Sequence, residues 1–154
     1  MVIGHWSLGI LFEHDGDTMG KPIDTYTHEV RVRYAETDRM GVLHHSRMFV
    51  LLELARTEML RRHGLTYRDM EDRGWFLVIS KAACTWKAPA RYDDVLLIDT
   101  AVTRVTHTRI EHTYHVKRKS DGELLAEAHT TLACVDREGN IQRIPDELAG
   151  LLRR

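Results

Sequence analysis

The sequence predicts an α+β domain: an antiparallel five-stranded sheet wrapped around one long central helix. Three observations carry this. The stretch "HEVRVRY" (28–34) alternates with a period of two. From about Ser46 the spacing becomes helical and stays so until Gly64. From residue 76 to 135 the period returns to two, in four long runs separated by short polar turns.

Each element has a local reason. In the first strand Val30, Val32 and Tyr34 fall on one face. In the helix Met48, Leu51, Leu52, Ala55 and Met59 follow helical spacing, while Phe49, Val50 and Leu54 make its first half apolar nearly all round. That pattern marks a buried helix rather than a surface one. Gly64 is a natural stop, with Arg61, Arg62 and His63 in the last turn, where cations suit the helix dipole. Glu58 and Arg62 are spaced for an i,i+4 ion pair. "TYRDMEDRG" (66–74) reads as a second, short helix.

The four later strands are "FLVISKAACTW" (76–86), "VLLIDTAVTRV" (95–105), "RIEHTYHVKRK" (109–119) and "ELLAEAHTTLACV" (123–135). In the third of these, Ile110, His112, Tyr114 and Val116 share a face. "SDG" (120–122) is a hairpin signal. "APARYDD" (88–94) is a polar bend, "DREGN" (136–140) a turn, and "PDELAGLL" (145–152) a short terminal helix. A sheet this small cannot cover both its edges and its open face, so a homodimer, or a homotetramer built as a dimer of dimers, is expected.

Residues 1–24 have no sustained period and hold Gly4, Gly9, Gly16, Gly20 and Pro22. They read as an extension, disordered or packed on a neighbour, ahead of a single domain over 25–154. Met19 is an alternative start.

Bulk composition narrows the function. A chain of 154 residues, 43% hydrophobic and 29% charged, suits one globular domain without metals or disulfides. A formal net charge of −1 argues against a nucleic-acid partner, and the clusters at 61–62 and 117–119 read as solvated surface. No apolar run approaches the roughly 20 residues of a membrane span. Cys84 and Cys134 have no metal-site spacing, fall mid-strand in apolar patterns, and read as reduced core thiols. A cytoplasmic setting is therefore expected.

The chemistry concentrates where strand gives way to helix, in "YAETDRMGVLHHSRMF" (34–49). Asp38 can be a turn residue or a cap. It also stands just ahead of a helix N-terminus whose first N–H groups need partners. Free N–H groups facing a partly apolar pocket suit a developing oxyanion. A carboxylate beside them can attack a carbonyl or deprotonate a water. At a reference pKa of about 3.9 an aspartate is a weak base, so partial burial would have to raise it. The adjacent His44 and His45 diverge and have no partner at metal-ligand spacing, and His112 and His115 face opposite sides of a strand, so no metal is expected. An imidazole near the helix start can orient a carbonyl or a water, or simply cap and pack. Neither a G-x-S-x-G elbow, a G-x-G-x-x-G loop nor a Walker A loop is present.

These residues resemble a known family. "VRYAETDRMGVLHHSRMFVLLELARTEMLRRHG", with "KAPARYDDVLLIDTAV" and "LLAEAHTTLACVD", is similar to hotdog-fold acyl-CoA thioesterases of the 4-hydroxybenzoyl-CoA thioesterase type. The likeness spans residues 28–148. It implies a hotdog fold, dimerised so that two sheets join, and hydrolysis of an acyl-CoA thioester without metal or cofactor. It implies a catalytic role for Asp38, the Asp of "T-D-x-x-G", and an oxyanion-binding backbone N–H near His44 or His45. It also maps a motif His onto His45. Its pattern departs at His44, where other members carry an aromatic residue, which leaves the acyl preference open. The phosphates of CoA call for cations near the pocket mouth. Lys87 and Arg91, flanking the "APAR" bend, are candidates together with Tyr34. Two alternatives differ in class. A hotdog hydratase would resemble D-x4-N-x2-H, but Leu43 and Ser46 stand at the Asn and His positions. A non-catalytic acyl-thioester or acyl-carrier-protein binding module would leave Asp38 without a task.

Overall fold

The chain runs β1 (Asp24–Arg31), α1 (His45–Arg62), α2 (Tyr67–Asp72), β2 (Phe76–Trp86), β3 (Val95–Val105), β4 (Arg109–Arg118), β5 (Leu124–Val135) and α3 (Asp146–Leu151). A 3-10 turn at Tyr34–Glu36 separates β1 from α1. The computed structural model describes residues 22–153. The strands form a five-stranded sheet in the order β1-β3-β4-β5-β2, every neighbouring pair antiparallel. The long helix packs on one face of that sheet.

The interior follows from alternation. Ile110, His112, Tyr114 and Val116 of β4 all point inward and are buried. They meet a stripe of α1 made by Met48, Leu51, Leu52, Ala55, Met59 and Leu60. The upper half of this stripe packs with Leu96, Ile98, Tyr114 and Leu125, the lower half with Leu65, Met70, Ile110 and Leu148. Each fully buried side chain of this size contributes about 1.5–3 kcal/mol. One stripe therefore suffices to fix how the helix lies on the sheet.

Several expectations need correction. β2 and β3 are consecutive but not neighbours: β2 pairs with β5 at one edge, and β3 with β1 and β4. The bend at 88–94 is thus a crossover past the ends of β5 and β4. Tyr34 does not share the face of Val30 and Val32. β1 ends at Arg31, and Tyr34 opens the 3-10 turn with 78% of its surface exposed. Phe49, Val50 and Leu54 are also exposed, at 36%, 51% and 38%. The sheet covers one side of α1 and leaves these residues of the other side partly open.

Glu58 pairs with Arg61 at 3.1 Å. Arg62 reaches the buried carboxylate of Asp24 instead, at 2.8 Å, and His63 Nε2 lies 2.7 Å from its other oxygen. The first strand also begins earlier than the predicted His28. Asp24 is in β1, and Ile23 donates its N–H to the Val102 carbonyl at 2.8 Å. The extension expected over 1–24 otherwise lies outside the described residues.

Candidate active site

Glu36 anchors the segment that carries the site. It ends the 3-10 turn and is buried at 3% exposure. Burial alone would push its pKa up. The Arg33 N–H and guanidinium, both bonded at 2.8 Å, more than offset this and hold it below the usual carboxylate value. Its carbonyl accepts the N–H of His44 at 2.8 Å, which fixes where α1 begins.

Between Glu36 and His44 the chain makes a small turn. Thr37 and Leu43 form a β-bridge, and Asp38 N–H donates to the Val42 carbonyl at 2.9 Å. Gly41 closes the turn at φ +75°, a conformation costly for a residue with a Cβ. Asp38 Oδ1 accepts from the N–H groups of Met40 at 2.8 Å and Val42 at 3.3 Å. Its Oδ2 has no hydrogen-bond partner among the described residues. The half-buried carboxylate is therefore both a turn former and a fixed group with one oxygen to spare.

The helix start is just as defined. His44 is the N-cap: its Nδ1 accepts from the Ser46 N–H at 3.3 Å, and its carbonyl takes the Arg47 N–H at 2.9 Å. The His44 N–H, expected as one of two oxyanion donors, is already given to Glu36. The His45 N–H has no acceptor among the described residues. The two imidazoles do not diverge. His44 is extended and His45 helical, and this change of backbone brings their ring centroids to 4.2 Å.

A distant segment braces this loop. Leu43 N–H donates to the Ala90 carbonyl at 2.8 Å, and Val42 forms a β-bridge with Arg91. Tyr34 packs edge-on against Tyr92 with ring centroids 5.5 Å apart. Arg91 and Tyr34 are thus brought to the Asp38 loop. Lys87 is not: it extends to Glu127 at 3.0 Å. One turn along α1 from His45, Phe49 meets Trp86 of β2 edge-to-face at 6.4 Å. Glu36, Tyr92 and Trp86 were missed from the sequence. Glu36 alone left a signal, as the acid inside "Y-x-E-T-D".

Residues 32–152 match the family model described as "Thioesterase-like superfamily". The chain belongs to the thioesterase-like superfamily. This thioesterase-like chain is 36% identical over 107 residues to the acyl-CoA thioester hydrolase YbgC of Escherichia coli, covering 70% of this chain and 79% of that one. It is 32% identical over 112 residues to the acyl-CoA thioesterase YbgC of Haemophilus influenzae, covering 72% and 81%. A crystal structure of a hypothetical protein from Thermus thermophilus superposes with a TM-score of 0.78 at 37% identity, over 84% of this chain and 95% of that one. The Asp38 loop, the start of α1 and the 88–94 crossover all lie inside the matched span of the superfamily.

Proposed function

We propose that the protein hydrolyses acyl-CoA thioesters at the start of α1. One observation carries this reading. A carboxylate with a spare oxygen and an unpaired helix N-terminal N–H are held by the same short hydrogen-bonded loop. The names of the similar proteins support the thioester substrate.

In this reading the thioester carbonyl oxygen accepts the His45 N–H, and an apolar helix face continues below it. Asp38 Oδ2 then acts in one of two ways. As a base, it takes a proton from a water that attacks the carbonyl carbon. The oxyanion collapses, the C–S bond breaks, and the CoA thiolate leaves with that proton. As a nucleophile, it forms a mixed anhydride as the thiolate leaves, and water then cleaves the anhydride. In both routes the His45 N–H holds the charge that develops on oxygen. The imidazole of His45 positions the substrate or the water. No step calls for a metal or a cofactor.

The long β2 edge and the bare side of α1 support assembly with a second copy. β2 pairs on one side only and exposes Val78 and Ile79, while α1 exposes Phe49, Val50 and Leu54. A homodimer joined through these surfaces would cover both. The described chain has no helix long and apolar enough to cross a membrane. The free thiols of Cys84 and Cys134 support a reducing, cytoplasmic setting.

The test is thiol release from acetyl-, butyryl-, octanoyl-, palmitoyl-, benzoyl- and 4-hydroxybenzoyl-CoA by wild type and Asp38→Asn. The variant is expected to bind substrate and to lose about a hundredfold or more in kcat. Equal turnover by both proteins would remove Asp38 from the mechanism.

A further inference from the structure

Tyr34 and Tyr92 are 78% and 56% exposed, yet their rings pack edge-to-face at 5.5 Å. Neither belongs to the core. They come from two loops on either side of the Asp38 turn, tied together through the Val42–Arg91 bridge and the Asp93 N–H bond to the Val32 carbonyl at 3.0 Å. In a perpendicular pair the ring that presents its edge keeps its own faces open, and an open tyrosine face suits a flat aromatic ligand. The surroundings are cationic. Arg91 adjoins Tyr92 in the chain, and Arg39 lies in the Asp38 turn. Both are exposed, and neither is within ion-pair distance of a carboxylate among the described residues. Arg31 pairs with Asp93 at 3.0 Å, but both side chains are more than half exposed, so water already screens that pair and Arg31 can be drawn to another anion.

We propose that Tyr34 and Tyr92 form the platform on which the adenine of CoA stacks, with Arg91 and Arg39 meeting its phosphates. An aromatic surface rimmed by unpaired guanidinium groups is complementary to a purine carrying a diphosphate and a ribose phosphate. The pantetheine arm separates the nucleotide from the thioester, so the platform need not touch Asp38. This inference rests on the thioester-hydrolase reading and adds to it the surface that holds the nucleotide of CoA.

The experiment compares one acyl group carried on CoA and on pantetheine, which lacks the nucleotide. The proteins are wild type, Tyr34→Ala/Tyr92→Ala, Tyr92→Trp and Arg91→Ala, each checked by circular dichroism for the native fold. In the double alanine variant KM for the acyl-CoA is expected to rise about tenfold or more, at unchanged kcat. Kinetics on the acyl-pantetheine should not move. Tyr92→Trp should keep the low KM, and Arg91→Ala should raise KM in a salt-dependent way. Equal losses on both donors, or none on either, would overturn the platform and leave the hydrolase standing. If wild type cleaves neither donor, the hydrolase reading fails instead. Calorimetric binding of the adenosine bisphosphate fragment of CoA then decides the platform. Binding by wild type that the double variant loses supports it, and absent or equal binding overturns it.

Discussion

Replacing His112 with phenylalanine should remove an acid sensitivity built into the core. His112 is 3% exposed, stacks on Tyr114 at 6.2 Å, and its Nδ1 has no hydrogen-bond partner. Burial, then the charge of Arg56 and then His129, push its pKa from 6.5 down to about 3. The folded protein therefore holds a neutral ring, while the unfolded chain takes up a proton below its ordinary pKa. The unfolded state binds more protons between those two values, so stability falls as pH falls through that window. The loss is about 1.4 kcal/mol per pH unit below the unfolded pKa, or about 2 kcal/mol between pH 7.5 and 5. For a domain of this size that corresponds to a fall in Tm of about 4–8 °C.

His112→Phe keeps a flat ring against Tyr114 and removes the titration. Thermal melts followed by circular dichroism, in steps from pH 7.5 to 5, should show a fall that is steeper by this amount in wild type than in the variant. Glu36, Asp69, Asp99, Asp121 and Asp136 all have lowered pKa values, each through bonds that favour the carboxylate. Their stabilisation is lost only as pH falls below the ordinary carboxylate range, beneath this window, and it is common to both proteins. His129 is also lowered, mainly by burial, and is likewise common to both. Parallel losses in wild type and variant would mean that His112 is protonated in the fold, and the reasoning would fail.

Gly41→Ala meets no atom within 4 Å of the new Cβ, so its cost is the backbone conformation alone. It should destabilise by about 1–2 kcal/mol by thermal melt and lower kcat as the Asp38 turn relaxes. Glu36→Ala removes both bonds from Arg33 and loosens the carbonyl that holds His44. It should cost about 1–3 kcal/mol in a denaturant titration and reduce turnover without altering Asp38 itself. Burial pushes the Cys84 thiol up to about 12. At pH 8 its thiolate fraction is about one in ten thousand, so a thiol-reactive dye should label it quickly only after unfolding.

Most elements were legible because each is fixed by its own pattern, whereas β1, expected over 28–34, runs from Asp24 to Arg31. β2 and β3 run over the residues their alternation predicts, and β4 and β5 differ by one residue at an end. α1 begins at His45, one residue from the predicted start. The inward set of β4 follows from a period of two and needs no partner to define it. What the pattern could not carry was pairing across the chain. Nothing local in "FLVISKAACTW" says that β2 will lie beside β5 rather than β3. Arg62 had a carboxylate at helical spacing in Glu58, but bonds the buried Asp24, where desolvation strengthens the interaction. The bare side of α1 misled for the opposite reason. Its apolar residues are real, but apolarity alone does not say whether the sheet lies over them.

The site shows the same division at closer range. Asp38 and the helix start could be placed from the sequence, because the change from a period of two to helical spacing marks the junction where the acid stands. The proposed oxyanion donor could only be narrowed to His44 or His45, since adjacent residues differ by a single position in any motif. A bond across the turn separates them. The Glu36 carbonyl takes the His44 N–H, the Nδ1 of His44 turns to the Ser46 N–H, and the His45 N–H between them is left open. An N-cap normally serves to satisfy the first N–H groups of a helix. Here the Glu36 carbonyl and the cap satisfy the N–H groups on either side of one, and the unsatisfied donor stands at the end of the loop that fixes the spare oxygen of Asp38.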